Sequence, residues 1–485
     1  MRRILMLASG SVALAAAVAC AASNDDDETL LAPENDAGQT TLPDAGSPAE
    51  VGSKEDVSVP TISYCSDAGW CATTLPDPDL DVVDIWPFEH RAFAIAESAT
   101  IGTKVLEWSD ESASWSFIDD NSQNTYGSGH YAGKIWAPNE NEVYYAVAPS
   151  LIYHGTRATP TSPWTWVSSR LPYNGRDFGP EHDPGRPSYS DAPSHGPYPY
   201  SALGVWGTSA EDVYAWYANT IFHWKSEDGG APGWVAEHVI DDPNNQGDAF
   251  FVFGASGSSS DDVWFGGGRG RYDATGTFAC PMAVHKTPGG YRRHLDYTIN
   301  PSDTYSHYNN SCTPKAGVLN LIFSAHFPGF GTITAPWRNG GWLTNIASAR
   351  PGAAVAIMER EWVAYVGSEG AGVAILNSVG VRGATSASSG ALLNSISIHG
   401  SDAWISGWGL VLKSENKPEA WAAGKGIFTP LDMEEQQVDG GATYSISTTV
   451  LNGAPLDRPL YQVRGTSNEN LWAVGLRYAL HKTTP

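Results

Sequence analysis

Three stretches of this sequence concentrate side chains able to do chemistry. Residues 173–200 supply Tyr173, Arg176, Asp177, His182, Arg186 and His195. Residues 266–280 supply Arg269 and Arg271, and residues 296–318 supply Tyr305, His307 and Tyr308. Rings interleaved with guanidinium, imidazole and carboxylate groups suit recognition. The rings stack on a sugar face or fill an epitope, and the polar groups fix its orientation. The competing reading is that the Tyr and Pro of these stretches only pack them onto a scaffold.

Signals for catalysis or metal binding are thinner. Glu181-His182-Asp183 with His195 matches no established ligand spacing. Asp77, Asp79, Asp81 and Asp84 alternate as acids do in calcium loops, without the central Gly and terminal Glu. No Gly-x-Ser-x-Gly is present for a hydrolase nucleophile. The expectation is a protein without a cofactor, calcium being the one cation with any signal. Binding is favoured over catalysis. The alternative is a glycosidase-like hydrolase whose paired carboxylates lie inside the fold and cannot be located from sequence.

The cysteines speak to compartment. Met1-Arg2-Arg3 precedes an Ala-rich apolar run from Ile4 to Ala19, the pattern of an export signal rather than a membrane span. Ala17-Val18-Ala19-Cys20 resembles a bacterial lipobox, with Ala17 where Leu is usual. The resemblance implies a lipidated Cys20, and Ala21 after it implies outer-membrane sorting. Residues 21–60 lack aromatics and carry ten acids against Lys54, so they read as a disordered acidic tether. Cys65, Cys71, Cys280 and Cys312 remain, an even number, and suggest Cys65–Cys71 and Cys280–Cys312 disulfides.

The elements that must position these residues come from an internal repeat. Val205-Trp206-Gly207-Thr208-Ser209, followed by Asp212-Val213-Tyr214-Ala215-Trp216, is echoed by Val463-Arg464-Gly465-Thr466-Ser467 and Asn470-Leu471-Trp472-Ala473. Related units begin near Ile135, Val252 and Ile398. Each reads as four short strands, A to D, with the Gly-Thr-Ser turn joining A to B. One such sheet cannot bury both faces, but repetition about an axis lets each pack on its neighbours, which is a β-propeller. The 19 Trp fill the wedges between blades. With 51 Gly and 32 Pro in 485 residues, turns dominate and long helices are excluded.

D-strand aromatics count the blades: Trp70, Trp115, Trp164, Trp234, Tyr291, Trp342 and Trp421. The gap from Trp342 to Trp421 leaves room for one more, with Val355–Ile357, Trp362–Gly367 and Val373–Leu376 as its strands A, B and C. The sequence therefore predicts an all-β chain forming a single propeller over 61–485, with eight four-stranded blades or, alternatively, seven. The last unit stops after strand C, and residues 70–75 read as an orphan strand D. The N-terminal strand is thus expected to complete the C-terminal blade and remove free edges.

The Trp-Gly-x-Ser-x-x-Asp-Val-Trp pattern resembles secreted bacterial β-propellers with tectonin-type repeats. The turns Ser66-Asp67-x-Gly69 and Ser226-x-Asp228-x-Gly230 resemble Asp-boxes. The resemblance implies architecture and a leaning toward glycan ligands, and it assigns no sugar-binding residue. In a propeller the D–A and B–C connections share one face. The insertions 173–200, 266–280, 296–318 and 432–459 should therefore crowd together there, where loops carry function. The net charge of −25 repels phosphate backbones, so nucleic acid is not an expected partner. The sequence reading is an outer-membrane lipoprotein whose propeller binds a glycan or an envelope protein, touching the membrane only through its N-terminal lipid.

Overall fold

The computed structural model describes residues 65–125, 131–175, 201–226, 229–245, 247–273, 276–300, 311–327, 331–338, 340–360, 362–367, 370–375, 392–414, 444–447, 449, 451 and 456–483. The chain divides at residue 60, and all of 1–60, including the signal stretch, Cys20 and the tether, lies outside the described residues.

Seven antiparallel blades form one ring. The first runs Asp81–Pro87, Arg91–Ser98, Gly102–Ser109 and Ser114–Phe117. The second runs Ala132–Asn139, Glu142–Val147, Leu151–Thr156 and Thr165–Arg170. The third runs Leu203–Ser209, Asp212–Tyr217, Thr220–Lys225 and Gly233–Val239. The fourth runs Ala249–Ser259, Asp262–Asp273, Gly276–Thr287 and Gly290–Leu295. The sixth runs Ser395–His399, Asp402–Ser406, Val411–Ser414 and Tyr444–Ser447. In the seventh, Leu460–Ser467, Asn470–Gly475 and Tyr478–Lys482 are completed by Trp70–Ala72, whose Trp70 pairs with Lys482. The expected closure by the N-terminal strand is thus present.

The fifth blade decides between the expected eight and seven in favour of seven. Its strands are Leu343–Arg350, Ala353–Met358, Trp362–Gly367 and Ala371–Ile375. The segment expected as a separate blade near 319–345 is instead a hairpin, Leu321–Phe327 with Gly331–Pro336. It adds to the outer edge of the fifth blade, Leu321 lying parallel to Ala371, and makes six strands. Trp342 is therefore not in a D strand. It leads the innermost strand of the fifth blade, and 355–357, expected as strand A, lie in the second strand. Trp342 is bound elsewhere: its Nε1 donates to the Arg269 carbonyl at 3.3 Å and its ring packs on Phe253 at 5.3 Å. Gly268 makes room for it, since a Cβ there would stand 2.0 Å from the indole. Trp421 lies outside the described residues, and Tyr444–Ser447 supplies the outer strand of its blade. The expected 432–459 insertion thus contains that strand.

Burial follows from the stacking. Glu142–Val147 is buried at five successive residues, on both faces, because blades flank it on either side. The outer strand Thr165–Arg170 has no buried residue. A side-chain clamp recurs in five blades. An acid or Asn opens the second strand, an aromatic follows two residues later, and a cation or imidazole faces it from the third strand. Tyr144 stacks on His154 at 4.1 Å, Tyr214 on His223 at 4.4 Å, Trp264 on His285 at 4.0 Å and Trp472 on His481 at 4.0 Å. Lys413 takes the place of His over Trp404. The acid ties the clamp: Glu142 to His154, Asp212 to His223, Asp262 to His285 and Asp402 to Lys413, with Asn470 serving His481. The Asp-x-aromatic signature of the repeat is thus a structural device.

Candidate functional site

The fourth blade rises above the ring. Its two middle strands have 12 residues each, where the equivalent pair in the third blade has six. The segment 266–280, expected as a loop, is a continuous hairpin whose pairing extends to Asp273 and Gly276. The following connection forms a second hairpin, Tyr297–Asn300 with Ser311–Pro314. Cys280 on the first is joined to Cys312 on the second, with Cα atoms 5.7 Å apart. Cys65 is likewise joined to Cys71. Both disulfides match the pairing expected from sequence.

Beneath this raised edge lies a buried ion cluster. Arg269 has no solvent exposure. Its Nη1 contacts Asp242 at 2.7 Å and Asp248 at 2.9 Å, and its Nη2 contacts Asp296 at 2.7 Å. Arg271 reaches Asp248 at 2.6 Å and donates to the Asn245 side chain at 2.8 Å. Lys315 bridges Asp242 and Asp296. Arg293 holds Asp296 at 2.8 Å and donates to the Asp241 carbonyl at 2.7 Å. The Arg269 guanidinium also lies over the Phe250 ring at 4.6 Å. Burial pushes the Asp242 carboxyl up, but hydrogen bonds from Lys315 and Arg269 outweigh it and bring it down to about 2. The same three carboxylates outweigh burial at Arg269 and raise its pKa.

Above the cluster, between the third and fourth blades, opens a cleft of about 450 Å³. Tyr173 and Asn174 come from the connection entering the third blade. Asn219 comes from the turn between that blade's middle strands. Asp241, Asp242, Asn245 and Asp248 come from the short connection between the blades, and Phe250 and Phe251 open the next inner strand. These are D–A and B–C connections, so they belong to the face on which the insertions were expected to gather. Tyr173 leans edge-on against Tyr217 at 5.9 Å. Asn219 is fixed by donating to the Ile240 carbonyl at 3.0 Å.

Of the residues singled out by sequence, Tyr173 lines the cleft, and Arg271 lies under it, bonded to two lining residues. Arg269 corrects the expectation of a ligand contact: it has no solvent exposure, its Nη1 and Nη2 are held by three aspartates, and it supports the floor. Arg176, Asp177, His182, Arg186, His195, Tyr305, His307 and Tyr308 lie outside the described residues. The residues missed were those of 240–251. That connection is short, and insertion length was the signal used to find sites. Its Asp-Asp-Pro followed by Asn245, Asp248 and Phe250-Phe251 was legible as an acid and aromatic cluster.

Of the four acids with calcium-like spacing, Asp77, Asp79 and Asp84 have other partners. Asp79 accepts from Ser98 at 3.1 Å and pairs with Arg477 at 3.1 Å, and Asp77 accepts the Asp79 amide at 2.8 Å. Among the described residues no group of three or more His, Cys, Asp or Glu is placed to hold a metal. On the innermost strands Asp84 accepts the Ile135 amide at 3.0 Å and pairs with Arg464 at 3.4 Å. Arg464 also donates to the Ile85 carbonyl and lies over Trp86, which makes it a clamp between the seventh and first blades.

No protein-family model matches the chain, and no curated protein matches it. Solved structures similar to it include YCF48 bound to D1 peptide, at 11% identity and a TM-score of 0.47, covering 88% of this chain and 98% of that one. YCF48 from Cyanidioschyzon merolae follows at 11% and 0.44, covering 86% and 99%. The RRP9 WD40 repeats follow at 11% and 0.47, covering 87% and 99%. Likeness at this level extends to the ring and to nothing about its partner. A closed ring of blades with a cleft on one face fits a binding module.

Proposed function

We propose that this protein is a lipid-anchored binding module of the cell envelope, which engages a glycan or an envelope protein through the face bearing the cleft. Cys20 carries the lipid, residues 21–60 give reach, and the ring presents the site at the outer membrane. The observation that carries the reading is the buried Arg269 cluster under the cleft. A surface fixed from behind by charge-assisted hydrogen bonds loses little conformational freedom on binding. The cluster ties together the connections before and after the fourth blade, and the Cys280–Cys312 bond holds the neighbouring hairpins.

The test is capture of envelope components by the full chain and by a Tyr173→Ala/Asn174→Ala/Asp241→Ala variant, each with Cys20 intact or changed to Ser. We expect the native chain to fractionate with membranes and retain a specific partner. The cleft variant should lose the partner and keep its fractionation, and Cys20→Ser should do the reverse. Retention of every partner by the cleft variant would move the site elsewhere on the ring.

A further inference from the structure

We infer that the cleft between the third and fourth blades takes an uncharged, hydroxyl-rich ligand, a neutral saccharide, rather than a cationic peptide or an acidic polymer. The inference deepens the binding-module reading and rests on it. Its basis is the charge balance of the site. Asp241 and Asp242 line the cleft with Asp248, and Asp296 lies behind them. Arg269, Arg271, Arg293 and Lys315 stand among these acids at hydrogen-bond or ion-pair distance. The carboxylates of Asp242, Asp248 and Asp296 pair with these four cations, and the exposed carboxylate of Asp241 brings the acids to four, so the site as built has no net charge.

Each ligand class meets this arrangement differently. A Lys or Arg side chain entering the cleft would find Asp242 and Asp248 already neutralised from behind, and would bring a further cation toward Arg271 and Lys315. An acidic polymer or phosphate would face the exposed carboxylate of Asp241 directly. An ionised carboxylate only accepts hydrogen bonds, so the lining asks for donors that carry no charge. Hydroxyl groups answer this. They donate to the exposed carboxylate of Asp241, while a sugar's C–H face lies against the half-buried ring of Tyr173. Asn174, exposed at the rim, offers both a donor and an acceptor. The cavity volume falls in the range of small-ligand sites.

The experiment is titration calorimetry of the full chain with cellohexaose, chitohexaose, maltohexaose and mannohexaose. Hexalysine and polygalacturonate are run beside them, each at about 0.05 and about 0.5 M salt. At least one neutral oligosaccharide should bind, with a Kd that changes less than about twofold between the two salt levels. Asn174→Ala/Asp241→Ala, at exposed positions, should weaken it at least about tenfold without moving the melting transition. Tyr173→Ala should weaken it comparably. The inference is overturned if none of the neutral sugars binds, if the variants bind as the native chain does, or if hexalysine binds with strong salt dependence. Capture of an envelope protein lost in the same variants, with no sugar bound, would leave the binding-module reading standing and remove the saccharide. Loss of neither would remove both.

Discussion

The closing seam and the cleft floor both join distant parts of the chain, and they do so with opposite chemistries. At the seam, Trp70 is fully buried and meets Trp404 edge-on at 6.2 Å, while Trp472 meets Trp108 and Trp115 at 5.4 and 5.2 Å. The indole donors find hydroxyls: Trp70 reaches Ser447 at 2.8 Å and Trp115 reaches Thr73 at 2.9 Å. The floor of the cleft is instead built on Arg269 and three aspartates. Apolar packing tolerates rearrangement among residues of similar volume, whereas a buried charge depends on every partner. The seam is therefore a repeat element, reused from blade to blade, and the floor depends on side chains peculiar to one junction, Asp242, Asp248, Arg269 and Asp296.

The largest effect should come from the seam. A chain beginning at residue 80 lacks Trp70–Ala72 and leaves Tyr478–Lys482 as an unpaired edge. It also loses Trp70 from a cluster that includes Leu460, Leu471 and Leu480. We expect the cooperative thermal transition to disappear in scanning calorimetry. A melting temperature equal to that of 61–485 would show that closure is not what stabilises the ring.

The floor should respond less, and with a pH signature. Arg269→Met leaves Asp242, Asp248 and Asp296 with only Arg271, Arg293 and Lys315, and should cost about 3–5 kcal/mol. The Asp242 pKa is depressed to about 2 in the fold. Its stabilisation is thus present above its unfolded value of about 4 and lost as pH falls from there toward 2. Urea titrations over that window should show a steep acid limb in the native chain and a shallower one in the variant. Equal limbs would mean that Arg269 does not hold the carboxylate down.

The same contrast explains what the sequence disclosed. Val205-Trp206-Gly207-Thr208-Ser209 and its echoes gave the strand order, and the orphan Trp70 gave the closure, because both are consequences of repetition. The choice between eight and seven blades turned on Trp342, where an aromatic in the expected spacing leads an innermost strand and packs on Phe251 and Phe253 of the fourth blade's inner strand. The parallel pairing of Leu321 with Ala371 has no local signature, since it joins residues fifty apart in sequence. Arg269 was noticed as an arginine in an insertion, but its burial depended on Asp242, Asp248 and Asp296 arriving from two other connections. The His or Lys opposite each clamp aromatic carries no motif of its own, though the period of two along the third strands exposes it.

The smallest effect sharpens the comparison within the repeat itself. His223 and His481 hold the same place in their blades, each stacked on an aromatic. His223 lies between Asp212 at 3.1 Å and Glu237 at 2.9 Å. Burial pulls its pKa down, but the two carboxylates outweigh burial and raise it. His481 is bonded to the side-chain amide of Asn470, at 2.9 Å, and burial outweighs the more distant Asp110 carboxylate and lowers it to about 4. The two should bend stability in opposite directions. A raised pKa gives stabilisation that is full below the unfolded value of about 6.5 and lost as pH rises through the folded value. A lowered pKa gives stability that is present above about 6.5 and lost as pH falls toward 4. His223→Gln should therefore cost more at pH 5 than at pH 8, and His481→Gln should cost less at pH 5 than at pH 8. Neither slope should exceed about 1.4 kcal/mol per pH unit. Asn470→Asp supplies the missing carboxylate and should turn the His481 slope toward that of His223. It gives up the amide's donation to Phe88 at 2.8 Å, at about 1 kcal/mol. If the His481 imidazole titrates in NMR at the same pH with and without that aspartate, the carboxylate is not what separates the two clamps.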